Sequence, residues 1–157
     1  MTMRSEPGRD GEVTLPLPAL FGQAKDITIK HLHRQLGEEG FGGIRYSHGS
    51  VFRFIDAEGS RLTVLAERSG LSKQAIGEVV GELERHGYVE RTTDPTDQRA
   101  KIIRLTERGV KARIAAARIL EQLEHRWARQ LGGDRFAVLR GTLEEVLRVE
   151  RDGQSGS

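Results

Sequence analysis

The 157-residue chain contains no cysteine. That excludes a disulfide scaffold, thiolate zinc and iron–sulfur sites, a catalytic thiol and a cysteine redox switch. It also agrees with a reducing compartment, and a cytoplasmic protein is expected. Aromatic residues are scarce at 5%, and there are only four prolines. No apolar run approaches the ~20 residues needed to span a bilayer. Met1 to Gly11 offers no apolar core between a basic start and a cleavage site, so neither a secreted precursor nor a membrane partner is expected. A dominant charge sign is lacking too: 25 basic residues face 23 acidic ones, a net +2. The placement of charge, not its sum, must therefore decide whether nucleic acid is a partner.

Hydrophobic residues make up 36%, and nineteen glycines restore an ordinary globular balance. The expectation is a disordered arm over 1–17, clearest in Met1 to Gly11, then a single domain over 18–150 and a disordered tail over 151–157. Within the domain, Leu20, Ala24, Ile27, Leu32 and Leu36 have helical spacing. Four glycines within Gly37 to Gly43 break that helix. Ser47 or His48 opens a short helix carrying Val51, Phe52 and Ile55, expected to stop at Gly59.

Thr63 is the expected N-cap of a helix over Val64 to Ser69, with Gly70 as its stop. Ser72 caps the next helix, Lys73 to His86, which Gly87 ends. Two helices joined by a three-residue turn form a helix-turn-helix, with Leu65, Ala66, Leu71, Ile76, Val79, Val80 and Leu83 as its apolar seam. Tyr88 to Thr92 and Ala100 to Leu105 read as strands around a polar turn, Thr93 to Gln98, and make a hairpin wing. Arg61-Leu62 adds a very short third strand. Thr106 caps a long helix to Leu131 with apolar positions Ile114, Ala117, Leu120, Leu123, Trp127 and Leu131, Glu124 replacing Leu123 in an alternative register. A last helix spans Asp134 to Val149. The fold class is thus mainly α (α+β), a winged helix-turn-helix core over 48–105. Its terminal helices, 18–36 and 107–149, carry more apolar surface than the core can bury, and they are expected to build a homodimer.

Leu83, Glu84, Gly87, Tyr88, Val89 and Arg91 form an L-E-x-x-G-[LY]-V-x-R element. Asp94, Pro95, Asp97 and Arg99 form D-P-x-D-x-R, and Leu105, Thr106 and Gly109 form L-T-x-x-G. On these motifs the stretch from Ser60 to Gly109 closely resembles the MarR family of bacterial transcription regulators. The resemblance implies a ligand-responsive regulator, a repressor, that binds a pseudo-palindromic operator in double-stranded DNA as a homodimer. It further implies that Arg99 enters the minor groove, and that a small aromatic or phenolic effector sits between dimer helices and DNA-binding lobe.

The residues support DNA binding on their own terms. A helix capped by Ser72 presents free backbone N–H groups and a positive dipole end to phosphate. Lys73 follows, and Gln74 can pair with adenine in the major groove. Ala75 and Gly77 are small enough for close approach. Taken alone, Ser72 is only a cap and Lys73 and Gln74 only a solvated face; the adjoining wing tips the reading to DNA. Glu78 departs from the basic residue common among MarR-like recognition helices, and a carboxylate there repels phosphate but can accept from cytosine N4. Asp97 is expected to hold Arg99 or the turn backbone, while Arg91, Lys101 and Arg104 serve phosphates as strand alternation allows.

Arg45, His48 and Phe52 are the candidate effector-pocket residues, although Arg45 and His48 better suit capping of the second helix or contact with a partner protomer. No metal is expected, since His31 and His33 do not share a helical face and no H-x-x-x-H spacing occurs. No cofactor and no enzymatic activity are expected either: the glycine-rich stretch lacks P-loop order and no G-x-S-x-G is present. The competing reading is a winged-helix protein-interaction module, or a DNA-binding protein without effector.

Overall fold

The computed structural model describes residues 14–154. The expected disorder of residues 1–13 and 155–157 lies outside the described residues. The first helix, α1 (Leu17–Glu38), starts from Pro16, whose carbonyl accepts the N–H of Ala19 at 2.9 Å. Proline suits a helix start because its missing N–H would lack an intrahelical partner there in any case. Leu17 thus belongs to the helix and not to the expected arm. A 3₁₀ turn over Tyr46–His48 runs into α2 (Gly49–Phe52), which ends well before Gly59.

Strand β1 (Ser60–Arg61) precedes α3 (Leu62–Ser69), and here the sequence reading needs correction. Arg61, not Thr63, is the N-cap residue, and its side chain makes no cap bond. Pairing of Ser60 and Arg61 with Ile103 and Ile102 keeps the chain extended up to Arg61, so the helix begins at once and Thr63 falls inside its first turn. Leu62 is accordingly helical. Helix α4 (Lys73–Arg85) follows, then β2 (Val89–Asp94) and β3 (Asp97–Leu105), which are longer than expected and leave only Pro95 and Thr96 at the tip. The antiparallel sheet has the order β1-β3-β2, with Val89 opposite Leu105 and Thr93 opposite Lys101.

Val51, Leu65, Ile76, Val80, Leu83, Tyr88 and Ile103 are almost wholly buried and form the core between α2, α3, α4 and the sheet. Leu71, expected in the seam, lies exposed in the turn between α3 and α4. Tyr88 is buried, but its hydroxyl donates to the Gly42 carbonyl at 2.6 Å and accepts from Arg108 at 3.0 Å, which satisfies it.

Helix α5 (Glu107–Leu131) buries Ala112, Ala115, Ile119 and Leu123 at three-and-four spacing, with Leu36 of α1 packed on that stripe. Ile114 points out instead, 62% exposed. The start of α5 is built by the L-T-x-x-G motif. The Thr106 hydroxyl accepts from Gly109 N at 3.1 Å and donates to Gly87 O at 2.6 Å. Thr106 N donates to Tyr88 O at 3.1 Å. A Cβ on Gly109 would stand 2.0 Å from Tyr88 O, so the helix can lie this close to β2 only with glycine there. Helix α6 (Gly133–Gln154) continues past Val149 through Arg151–Gln154, where a disordered tail was expected. Arg151 and Asp152 are ordinary helix residues, and Gly153 falls in the last turn, where its cost is small. No residue of α6 is buried.

Candidate nucleic-acid interface

Gly70, with φ 72°, ends α3 in the left-handed region, and Ser72 turns the chain into α4, its hydroxyl accepting from Ala75 N at 3.1 Å. Ile76, Val79, Val80 and Leu83 fix the inward face of α4. The opposite face is thereby assigned: Ser72, Lys73, Gln74 and Glu78 are exposed together, with Gln74 and Glu78 one turn apart. Ala75 and Gly77 are half-buried, and a Cβ on Gly77 would meet Leu62 of α3 at 3.9 Å. Gly77 thus lets α4 lie close against α3.

The wing tip is held by two carboxylates. Asp94 Oδ1 accepts from Thr96 N and Thr96 Oγ1, both at 2.8 Å, and its Oδ2 accepts from Arg61 Nε at 2.8 Å and Nη2 at 2.5 Å. Asp97 Oδ1 accepts from the backbone N–H of Arg99 at 3.0 Å, so Asp97 shapes the turn backbone and is not paired to the Arg99 guanidinium. The Arg99 side chain is exposed and has no hydrogen bond or ion pair among the described residues. Lys101 donates to Thr93 Oγ1 at 3.3 Å. Arg91 lies at the wing root, 3.6 Å from Glu84 of α4, and Arg104 donates to the Glu58 carbonyl at 3.2 Å. Arg99 and Lys101 therefore flank the tip, whereas Arg91 and Arg104 are held toward the body.

A cavity of about 480 Å³ opens between α1, the Ile44–Arg53 segment and α5. Its walls are largely apolar, including Leu32, Leu36, Phe52 and Leu120, and its polar side chains include Arg45, Arg53, Arg113 and His33. His48, named with Arg45 and Phe52 from the sequence, is not in the wall. It is fully buried: its Nδ1 accepts from Arg45 N at 3.0 Å, so Nε2 carries the proton and donates to Glu82 Oε2 at 2.7 Å. The Arg45 guanidinium pairs with the same Glu82 oxygen. Glu82, on α4, escaped the sequence reading because its partners lie more than thirty positions away in the chain. Arg61 and Thr96 escaped it for a related reason. Arg61 sits in a two-residue strand with no motif of its own, and a threonine two residues after Asp94 is the one local signal of an Asx turn.

The carboxyl pKa of Glu82 is lowered to about 2, first by the His48 hydrogen bond and then by Arg45. That of Asp94 is also lowered to about 2, first by the N–H and hydroxyl of Thr96 and then by Arg61. A carboxylate held below its unfolded pKa contributes stability that is complete above the unfolded value and is lost as pH falls to the folded one. The melting temperature should therefore fall steeply from about pH 4 down to about pH 2. His31 and His33, lowered chiefly by burial, add a shallower decline that begins below about pH 6.5, because the unfolded chain takes up their protons first. Melts of Glu82→Gln across this range should show a flatter acid limb. An acid limb identical to that of the unsubstituted protein would remove the Arg45–His48–Glu82 cluster from the acid response.

Known proteins share this arrangement. A family model described as MarR family matches residues 43–100, which span the α2 segment, the helix-turn-helix and most of the wing. The uncharacterized HTH-type transcriptional regulator YdcH of Bacillus subtilis (strain 168) is 34% identical over 107 residues, covering 67% of this chain and 73% of its own. CouR from Rhodococcus jostii RHA1, solved bound to p-coumaroyl-CoA, is 27% identical with a TM-score of 0.60, over 83% of this chain and 90% of that one. Wild-type MarR from E. coli in its apo form shares the fold at 22% identity and a TM-score of 0.63, over 86% of this chain and 99% of its own. Among the described residues no helix is long and apolar enough to cross a membrane. With an outward polar face on α4, a wing tipped by an exposed arginine and these relatives, the chain belongs to the MarR family of DNA-binding transcription regulators.

Proposed function

We propose that the protein is a homodimeric, ligand-responsive repressor that occupies a pseudo-palindromic operator, with the N-terminal half of α4 in the major groove and the wing tip in the minor groove. In this reading residues 18–150 act as one MarR-like unit, with a winged core over 48–105 and dimerising helices over 18–36 and 107–149, working on DNA in the cytoplasm. The observation that carries it is the joint exposure of Ser72, Lys73 and Gln74 on one helix end and of Arg99 on the wing, with no ion pair to Lys73 or Arg99 among the described residues. Ser72 and the first N–H groups of α4 meet phosphate, Gln74 reads a base, and the Glu78 carboxylate repels phosphate but can accept from cytosine N4. Arg99 and Lys101 supply charge, with Asp97 shaping the turn that carries Arg99; Arg91 serves the backbone near the wing root.

The cavity is the proposed effector site. Its volume falls within the ~300–1,000 Å³ typical of small-molecule sites, and it offers cationic groups beside apolar walls, which suits a small aromatic or phenolic anion. CouR, which binds p-coumaroyl-CoA, supports an aromatic ligand. Arg45 lines this cavity and also pairs with Glu82 of α4, so an anion that draws Arg45 away loosens one tether of the recognition helix. The ligand's effect on DNA is limited by its difference in affinity for the two states of the dimer.

Binding to the DNA upstream of the protein's own gene, followed by anisotropy at several salt concentrations, tests the reading. Gln74→Ala should cost about 1–3 kcal/mol and relax preference at one base position. Arg99→Ala should weaken operator and scrambled duplexes together and lower the salt slope by about one unit per protomer. If neither substitution changes binding in a folded dimer, this docking geometry is wrong.

A further inference from the structure

We propose that Arg61, Asp94 and Thr96 form a clamp that aims the wing tip, and that they are positioning residues for the contact Arg99 makes with DNA. The inference rests on the proposed role of Arg99 and adds what holds that side chain in place. A hairpin tip is ordinarily the loosest part of a two-stranded ribbon, and a carboxylate there is ordinarily solvated. Asp94 is instead only 4% exposed, and each of its oxygens takes two donors. Two of those donors come from Thr96 and set the Pro95–Thr96 turn. The other two come from Arg61 on β1, which lies on the far side of the central strand from Asp94. The guanidinium thus ties the tip to the opposite edge of the sheet.

The tether reaches Arg99 through the backbone. Asp94 pairs with Asp97 in the shifted register at the end of the hairpin, and Asp97 Oδ1 in turn holds the N–H of Arg99. Two Asx turns in succession therefore fix the backbone from Asp94 to the start of the Arg99 side chain. The depressed pKa of Asp94 keeps the carboxylate ionised throughout the range in which DNA binding is measured.

Charge gives the test its sign. Asp94→Asn removes a negative charge from a DNA-facing wing, so electrostatics alone predicts tighter binding and a steeper salt slope. A clamp predicts the reverse. Anisotropy titrations of a labelled mixed-sequence duplex should show Asp94→Asn binding roughly 3–10-fold more weakly, with the salt slope lowered toward that of Arg99→Ala. Thr96→Val, which keeps every charge, should give a smaller loss in the same direction. Because the clamp acts through Arg99, the double variant Asp94→Asn/Arg99→Ala should bind no more weakly than Arg99→Ala alone. Melting curves of each variant report folding, and if Asp94→Asn is unfolded, Thr96→Val with its own double variant decides. If Arg99→Ala leaves binding unchanged, the wing reading fails and the clamp with it. If Arg99→Ala weakens binding but Asp94→Asn and Thr96→Val match or exceed the unsubstituted protein, the clamp alone is overturned. Losses that simply add in the double variants would also overturn it.

Discussion

Replacing Gly109 with alanine should lower the melting temperature by roughly 10 °C, while Gly81→Ala on α4 should leave it unchanged or raise it slightly. Both glycines are helical, and helix propensity alone favours alanine at each by about 1 kcal/mol. Their surroundings differ. A Cβ on Gly81 meets nothing closer than the end of the Arg85 side chain at 4.0 Å, which can swing away. A Cβ on Gly109 would stand 2.0 Å from the Tyr88 carbonyl oxygen and 3.2 Å from Leu105 Cδ2, and a backbone carbonyl cannot rotate aside. The start of α5 must then move by more than an ångström, carrying with it the Thr106 cap and its bonds to Gly87 and Tyr88. Overpacking costs about 1–3 kcal/mol and loss of an N-cap about 0.5–2 kcal/mol. At about 2–4 °C per kcal/mol for a chain of this size, the sum gives the expected shift. Thermal unfolding followed by circular dichroism checks it, and a Gly109→Ala protein that melts at or above the unsubstituted temperature would contradict the close approach.

The same glycine shows what the sequence could reveal and what it could not. Gly109 stood out as part of L-T-x-x-G, but the oxygen that demands it belongs to Tyr88, 21 positions earlier. Where structure is dictated locally, the reading was close: Gly70, Ser72 and Gly87 bracket α3 and α4 to within a residue or two, because caps and left-handed stops act within one turn. Thr63 misled because pairing of β1 with β3, more than forty residues away, decides where α3 starts. The exposed face of α4 was legible from its apolar stripe, so Lys73, Gln74 and Glu78 emerge together. Asp94 is legible as a turn and motif residue but not as the anchor of Arg61, and Glu82 is not legible at all. Their partners Arg61, Arg45 and His48 come from segments that meet them only once the sheet and the α2 turn are in place. For His48 the sequence offers the cavity or a helix cap, and the cap is what forms: its Nδ1 accepts from Arg45 N at the start of the Tyr46–His48 turn while Nε2 holds Glu82, which keeps the ring inside and out of the cavity wall.

The largest effect on DNA binding should come from residues far from the DNA. Paired substitution Leu143→Glu/Leu147→Glu on α6 should convert a dimer into a monomer and weaken operator binding by about 10²–10⁴-fold. Along α6 the side chains of Val138, Leu139, Leu143, Val146 and Leu147 are all substantially exposed, Val138 at 66% and Leu147 at 54%. Among the described residues its main packing is on α5, as in the Trp127–Phe136 ring contact and the Arg140–Glu124 ion pair. Leu17, Leu20, Phe21 and Ile27 on α1 and Ile114 on α5 are likewise exposed. Three helices with open apolar faces exceed what single chains in water normally leave uncovered, and a second copy supplies the same faces in matching number. Dimerisation would set two α4 helices against half-sites about one helical turn apart, ~34 Å. The second half-site is then bound at the effective concentration fixed by the first. Leu143 and Leu147 lie outside both buried clusters, so the glutamates should spare the winged core and remove only the partner contact. Sedimentation at micromolar concentration, run beside the anisotropy titration, reads both consequences. An unsubstituted protein that sediments as a monomer would refute the dimer, and a double variant that keeps its dimeric mass and its affinity would remove α6 from the interface.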